Sequence, residues 1–302
     1  MLSLLVPCYN FDVRSLIQEL HEQAIACSIA FEIICLEDAS EASFVVLNNT
    51  LSELPHVQYE VLAKNVGRSK IRNLLAERAQ YPFLLFMDCD AWPPNKDYIQ
   101  RYVQALDQNA ILYGGRCYKK EAPSSSTLYF HWYYGTQREE QTKEQRQQAP
   151  YHSFMTNNFL IPKALFLPIG FEEQLTSYGH EDTLFGLELA QRQHPIIHLD
   201  NPLEHVGLEP VTVFLGKSEQ ALHNLWYLYQ KKLLPPNSTK LLTWYNKLKE
   251  YHLSPFLRLF HLLFHRLLLQ QLQSKRPFLL FFDLYKLCYL AYLEKYTPSN
   301  IS

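Results

Sequence analysis

An apolar run that ends on two carboxylates is the first sign of chemistry in this chain. In FLLFMDCDAWPP, residues 83–94, five apolar side chains lead into Asp88-Cys89-Asp90, and two prolines close the stretch. Strand periodicity places Asp88 and Asp90 on one face. Side by side they repel unless a cation or a hydrogen-bond donor stands between them. A hard divalent ion, held by one or two carboxylates and completed by phosphate oxygens, would remove the conflict. Two further apolar runs finish the same way, LSLLVPCYN on Cys8-Tyr9-Asn10 and FEIICLEDAS on Glu37-Asp38. A single D-x-D reads most simply as a solvated acidic turn, but three polar run ends together favour a ligand site. A fourth group, YGHED at 178–182, sets Glu181 and Asp182 at the start of a helical pattern, where an Asp is commonly an N-cap.

Other patterns carry less. His194 and His198 are four apart but separated by Pro195, so they form no helical metal pair. His180-Glu181 does not open an H-E-x-x-H motif, because position 184 is Leu. NVGRS has a single glycine, which excludes a dinucleotide-binding G-x-G-x-x-G and a Walker loop.

The elements that must position these groups alternate. Strand-like runs at 2–10, 31–40, 57–63 and 83–90 are interleaved with helical spacing over 13–27, 41–52 and 68–79. That alternation predicts an α/β fold with a mostly parallel central sheet flanked by helices. In such a sheet ligands bind beyond the carboxyl ends of the strands, where the three acidic or polar ends fall. Residues 119–150 are polar and suit a mobile loop or a solvated helix. TNNFLIP reads as a strand, the last dozen residues of GFEEQLTSYGHEDTLFGLELAQRQ as a helix, and PIIHLDNPLEHVG as a short strand and a turn.

Charge divides the chain. Residues 217–302 hold 12 Lys and Arg against 4 Asp and Glu, while 1–216 hold 16 against 26. The net charge of −2 gives no reason to expect nucleic acid. Two C-terminal helical stretches, PFLRLFHLLFHRLLLQQLQ and PFLLFFDLYKLCYLAYLEKY, are broken by polar residues before they could span a bilayer. Arg258, His261 and His265 form a polar stripe on the first. These helices either pack on the body or touch an anionic membrane through 253–296. The six cysteines form no C-x-x-C pair and suit a reduced, cytoplasmic protein.

LLVPCYN, IICLEDAS, KNVGRSKIRN, LFMDCDAWP, TNNFLIPKALF, GFEEQLTSYGHEDTLFGLEL and NPLEHVG occur in the order found in family 2 glycosyltransferases. The chain resembles that family over roughly residues 1–215. The resemblance implies a GT-A, Rossmann-like domain over 1–215 followed by a helical, basic extension over 216–302. It also implies transfer of a sugar from a nucleotide-sugar donor, most simply a UDP-sugar, to a glycan or lipid-linked acceptor, with Mn²⁺ or Mg²⁺ as cofactor. In the residues of this chain, Pro7, Tyr9, Asn10 and Asp38 would line the nucleotide pocket, with Glu37 where the family more often has Asp. Arg72 and, less directly, Arg68 would contact the nucleotide, and Asp88 would lie near its ribose. Asp90 and His205 would hold the metal, Asp182 would be the catalytic base, and Glu181 would orient the acceptor. Alternatives from other classes are a nucleotidyltransferase, which would want a Gly- and Lys-rich loop after the first strand, and a non-catalytic sugar-nucleotide-binding scaffold.

Overall fold

The computed structural model describes residues 1–175 and 178–296. Thr176 and Ser177 of the GFEEQLTSYGHED stretch and the tail 297–302 lie outside the described residues. The first half alternates as expected: β1 (Leu2–Cys8), α1 (Arg14–Ala26), β2 (Phe31–Glu37), α2 (Ala42–Asn48), β3 (Val57–Val61), α3 (Arg68–Arg78) and β4 (Phe83–Met87). Then come β5 (Ala91–Trp92), α4 (Tyr98–Gln104), β6 (Ile111–Tyr113), β7 (Arg116–Cys117), α5 (Ser126–Tyr134) and α6 (Lys143–Gln147). They are followed by β8 (Asn158–Pro162), α7 (Lys163–Phe166), α8 (Glu181–Gln191), β9 (Ile196–His198) and β10 (Leu203–His205). Four helices complete the chain: α9 (Val211–Gln230), α10 (Lys240–Glu250), α11 (Ser254–Leu272) and α12 (Leu279–Tyr296).

The chain separates into two compact units. The first comprises Met1–Lys119, Arg138–Thr176 and Glu181–Gly207. Its main sheet has seven strands in the order β3-β2-β1-β4-β8-β6-β9, parallel except where β8 runs against β4 and β6. Continuous apolar runs form these strands because both sheet faces are covered. Leu4, Val6, Cys8, Leu85 and Met87 point into one core, and Leu5, Ile34, Leu36, Leu84 and Phe86 into the other. A second sheet has three short strands in the order β5-β10-β7.

The second unit comprises Lys120–Gln137, Ser177–His180 and Leu208–Ser302. Its helices close on a core that includes Phe130, Leu215, Leu268, Leu272, Phe282 and Tyr285.

One expectation needs correction, and one pair of alternatives is decided. The fourth strand ends at Met87, so Asp88 and Asp90 lie beyond it in a turn and strand periodicity does not orient them. Residues 119–150 are largely helical, with a π-helical turn over Gly135–Glu139 between α5 and α6. They are also less solvated than their composition suggests, since Phe130, His131 and Arg146 are buried. Arg146 donates to the carbonyls of Gly114 and Leu199 at 3.1 and 2.7 Å, which pins α6 to the first unit's sheet.

Candidate active site

The small sheet gathers the residues around the D-x-D. β10 pairs antiparallel with β5, His205 opposite Ala91, and the Val206 N–H donates to the Asp90 carbonyl at 2.9 Å. That register brings His205 Nδ1 to 3.6 Å from Asp90 Oδ1, although 115 residues separate them in the chain. β10 also pairs with β7, Leu203 opposite Arg116, which delivers a cation to the same place. Burial pushes the Asp90 carboxyl up, but the His205 hydrogen bond and charge, with Arg116 and Arg68, outweigh it and hold the group ionised. Gly207 passes so close that an added Cβ would lie 2.7 Å from Asp90 Cβ and 2.8 Å from its Cγ.

Asp88 meets arginines on both of its oxygens. Arg72 Nη2 donates to Oδ1 at 2.6 Å and Arg116 Nη2 to Oδ2 at 3.5 Å. The charge conflict inside the D-x-D is therefore relieved at Asp88 by guanidinium groups of the chain itself. Arg72 is 2% exposed and also donates to the Arg68 carbonyl at 3.2 Å, so its guanidinium is committed to supporting Asp88. Arg116 continues to Glu139 at 2.9 Å, and Tyr118 donates its hydroxyl to the same carboxylate. Burial would raise the Glu139 carboxyl, yet the Arg116 charge and the Tyr118 hydrogen bond bring it below its ordinary value. Arg116, Tyr118, Glu139 and Gly207 were not singled out from the sequence. Glu139 sits in a polar stretch that gives no sign of burial, and two-residue β7 has no legible periodicity.

The ends of β1 and β2 carry the next group. The Asp38 N–H continues the strand ladder to the Cys8 carbonyl at 2.8 Å. Its carboxylate accepts the N–H of Val66 on one oxygen at 2.7 Å and that of Gly67 on the other at 3.0 Å. Burial lifts the Asp38 pKa and the Glu37 charge adds to it, against the pull of those two N–H groups. Gly67, at φ 83°, precedes α3 in a conformation that costs a side-chain-bearing residue strain, so a glycine here lets both N–H groups face Asp38. Asn10, itself at φ 50°, accepts the Glu41 N–H at 2.8 Å, while its own N–H donates to Ser40. Tyr9 is 54% exposed beside it, and Pro7 is half-buried at the end of β1. Glu37 is fully buried, accepting from Ser40, Asn48 and Tyr59, and so braces the strand ends.

Glu181 and Asp182 open α8. Glu181 Oε1 lies 3.9 Å from Arg68 and 4.0 Å from Arg72, so a chain of charges runs from Asp88 through Arg72 to Glu181. α8 begins at Glu181, which puts Asp182 inside the first turn and not at the cap. Its carboxylate accepts the N–H of Thr183 at 2.6 Å. Burial, then the neighbouring Glu181 charge, lifts the Asp182 pKa to about 6, with Thr183 and Arg72 pulling the other way. A carboxylate poised near neutrality can accept a proton in a reaction at physiological pH.

Among the described residues no group of three or more His, Cys, Asp or Glu side chains is arranged to hold a metal ion. Asp90 and His205 form a two-donor set of oxygen and imidazole nitrogen. Such a set fits a divalent ion whose remaining positions are filled by diphosphate oxygens and water.

Residues 3–166, more than half of the chain, match glycosyl transferase family 2, and the chain belongs to that family. No curated protein matches its sequence. Among solved structures it is similar to S. aureus TarS 1–349, at 19% identity and a TM-score of 0.52, covering 98% of this chain and 93% of that one. The same protein in complex with UDP-GlcNAc aligns at 18% identity and a TM-score of 0.50, over 97% and 91% of the two chains. The mannosyltransferase PcManGT from Pyrobaculum calidifontis, in complex with GDP-Man and Mn²⁺, aligns at 12% and 0.53, over 73% and 61%. These likenesses establish the GT-A fold. The chain spans 54% of a longer TarS chain.

Proposed function

We propose that this chain is an inverting glycosyltransferase that moves a sugar from a nucleotide-diphosphate donor, a UDP-sugar, to a hydroxyl of a glycan or lipid-linked acceptor in cell-envelope polysaccharide synthesis. The observation that carries the reading is the continuous set of charges from the Asp90–His205 pair, past Asp88 and Arg72, to Glu181 and a raised-pKa Asp182. The UDP-GlcNAc bound by TarS on the same fold supports the choice of nucleotide. The Mn²⁺ in the PcManGT complex supports a metal.

In this reading Pro7, Tyr9, Asn10 and Asp38 receive the base and ribose, and Arg68 at the start of α3 reaches the phosphates. Arg72 and Arg116 hold Asp88 oriented at the ribose. Asp90 and His205 would hold Mn²⁺ or Mg²⁺, which when bound acts as a Lewis acid on the negative charge of the leaving diphosphate. Glu181 orients the acceptor, and Asp182 takes the proton from its hydroxyl as the oxygen attacks the anomeric carbon. Attack from the side opposite the leaving group inverts the configuration at that carbon. The free thiols of all six cysteines agree with work in a reducing cytoplasm.

Asp182→Asn separates chemistry from binding. The variant should lose transfer by about a hundredfold or more while retaining metal-dependent nucleotide binding, measured by calorimetric titration with UDP. Transfer at the wild-type rate would remove Asp182 from the role of base.

A further inference from the structure

Helix α11 carries large apolar side chains on both its inward and its outward side. The side that faces the rest of the second unit carries Ser254, His261, Leu268 and Leu272, all buried. The opposite side carries Phe256, Leu259, Leu263 and Leu267, exposed by 68, 54, 62 and 59%. Their spacing keeps the four in one row along the helix. Burial, then the nearby His265, lowers the His261 pKa to about 4, so the inward ring is neutral at pH 7. A helix of a globular protein ordinarily turns its apolar stripe inward and its polar residues to water. Here His261 points in, Arg258 and His265 are half-buried, and a row of large apolar side chains is left outside. A contiguous apolar surface of this kind marks a place that something covers.

Charge selects what covers it. Residues 254–282 contain Arg258, Arg266, Lys275 and Arg276 and no acidic residue. Lys275 and Arg276 are exposed in the turn after α11, next to Phe278, itself 60% exposed. A second copy docked on the same face across a two-fold axis would bring Arg266, Lys275 and Arg276 against the same three cations. An anionic bilayer surface satisfies both features, taking apolar side chains at the acyl boundary and basic ones at the headgroups. Among the described residues no helix is long and apolar enough to cross a membrane, so the fit is to a helix lying on one.

We propose that α11 and the turn after it form a docking surface for anionic phospholipid, with Phe256, Leu259, Leu263 and Leu267 entering the interface and Arg266, Lys275 and Arg276 meeting the headgroups. The proposal concerns the second unit by itself and does not depend on the sugar-transfer reading.

Flotation of the intact protein with vesicles tests it, comparing phosphatidylglycerol mixed into phosphatidylcholine with phosphatidylcholine alone. The wild type should float with the anionic vesicles and not with the neutral ones, and should be released by salt. The combined variant Leu259→Gln/Leu263→Gln/Leu267→Gln should stay at the bottom, with a thermal unfolding midpoint like the wild type because all three sites face solvent. Lys275→Gln/Arg276→Gln should bind about fivefold more weakly for each charge removed. This second variant decides the matter if the leucine variant melts early. Wild-type protein that ignores anionic vesicles, equal binding to both lipids, or unimpaired binding by the variants would overturn the proposal. So would a wild-type dimer in size-exclusion chromatography that the leucine substitutions convert to monomer, which would assign the face to a second copy.

Discussion

In the proposed mechanism, Asp182 is the residue on which chemistry and stability pull in opposite directions. With a pKa lifted from 3.8 to about 6, it is protonated in the folded protein over a range where the unfolded chain has already ionised. Stability tied to this group is therefore highest at low pH, falls as pH rises between those two values, and stays reduced above pH 6. Asp182→Asn should raise stability at pH 7 by about 1–3 kcal/mol and leave it unchanged near pH 3, as measured by thermal unfolding at the two pH values. Transfer by the wild type should run the other way. Its log rate should climb with a slope of about one below pH 6 and level off above it. A flat profile would detach the raised pKa from catalysis. Asp90 and His205 are far apart in sequence, and no spacing rule joins them. The D-x-D pattern pointed to Asp90 and family likeness to His205, and the pairing of β5 with β10 is the physical cause of their meeting. Arg116 and Glu139 could not be found this way, because their importance rests on burial that composition does not report.

At the scale of elements, the alternation of strand and helix over the first half was legible because buried parallel strands read as unbroken apolar runs. The main sheet is mostly parallel, as that alternation predicts, and β8 is inserted antiparallel. The run FLLFM coincides with β4 but does not show how the chain turns after it. Apolarity continues to Met87, but the D-x-D turn is fixed by the Asp88 N–H reaching the Asn157 carbonyl and by the short β5 that follows. The β5–β10–β7 sheet escapes periodicity altogether, since none of its strands exceeds three residues. Just beyond β10, Gly207 packs tightly against Asp90. Gly207→Ala should cost about 1–3 kcal/mol of stability. By moving Asp90 away from His205 it should also weaken Mn²⁺-dependent nucleotide binding about tenfold or more. Titration with UDP in Mn²⁺ and in EDTA checks this, and a loss equal in both conditions would mean that the glycine serves packing and not the metal pair.

The molecule as a whole joins an acidic sheet-based unit to a basic helical one, and the charge split in the sequence already separates their characters. The exposed apolar row of α11 was not legible, because on a helix apolar nearly all round periodicity does not say which side points out. In the proposed mechanism Asp90 and His205 serve a metal on a sugar-nucleotide diphosphate. The direct measurement is nucleoside diphosphate release from a panel of nucleotide sugars, with Mn²⁺ and with EDTA, by wild type and Asp90→Ala. The wild type should slowly hydrolyse one UDP-sugar in Mn²⁺, with release lost in EDTA and reduced at least about tenfold by the substitution. Release that is unchanged in EDTA and in Asp90→Ala would contradict that mechanism.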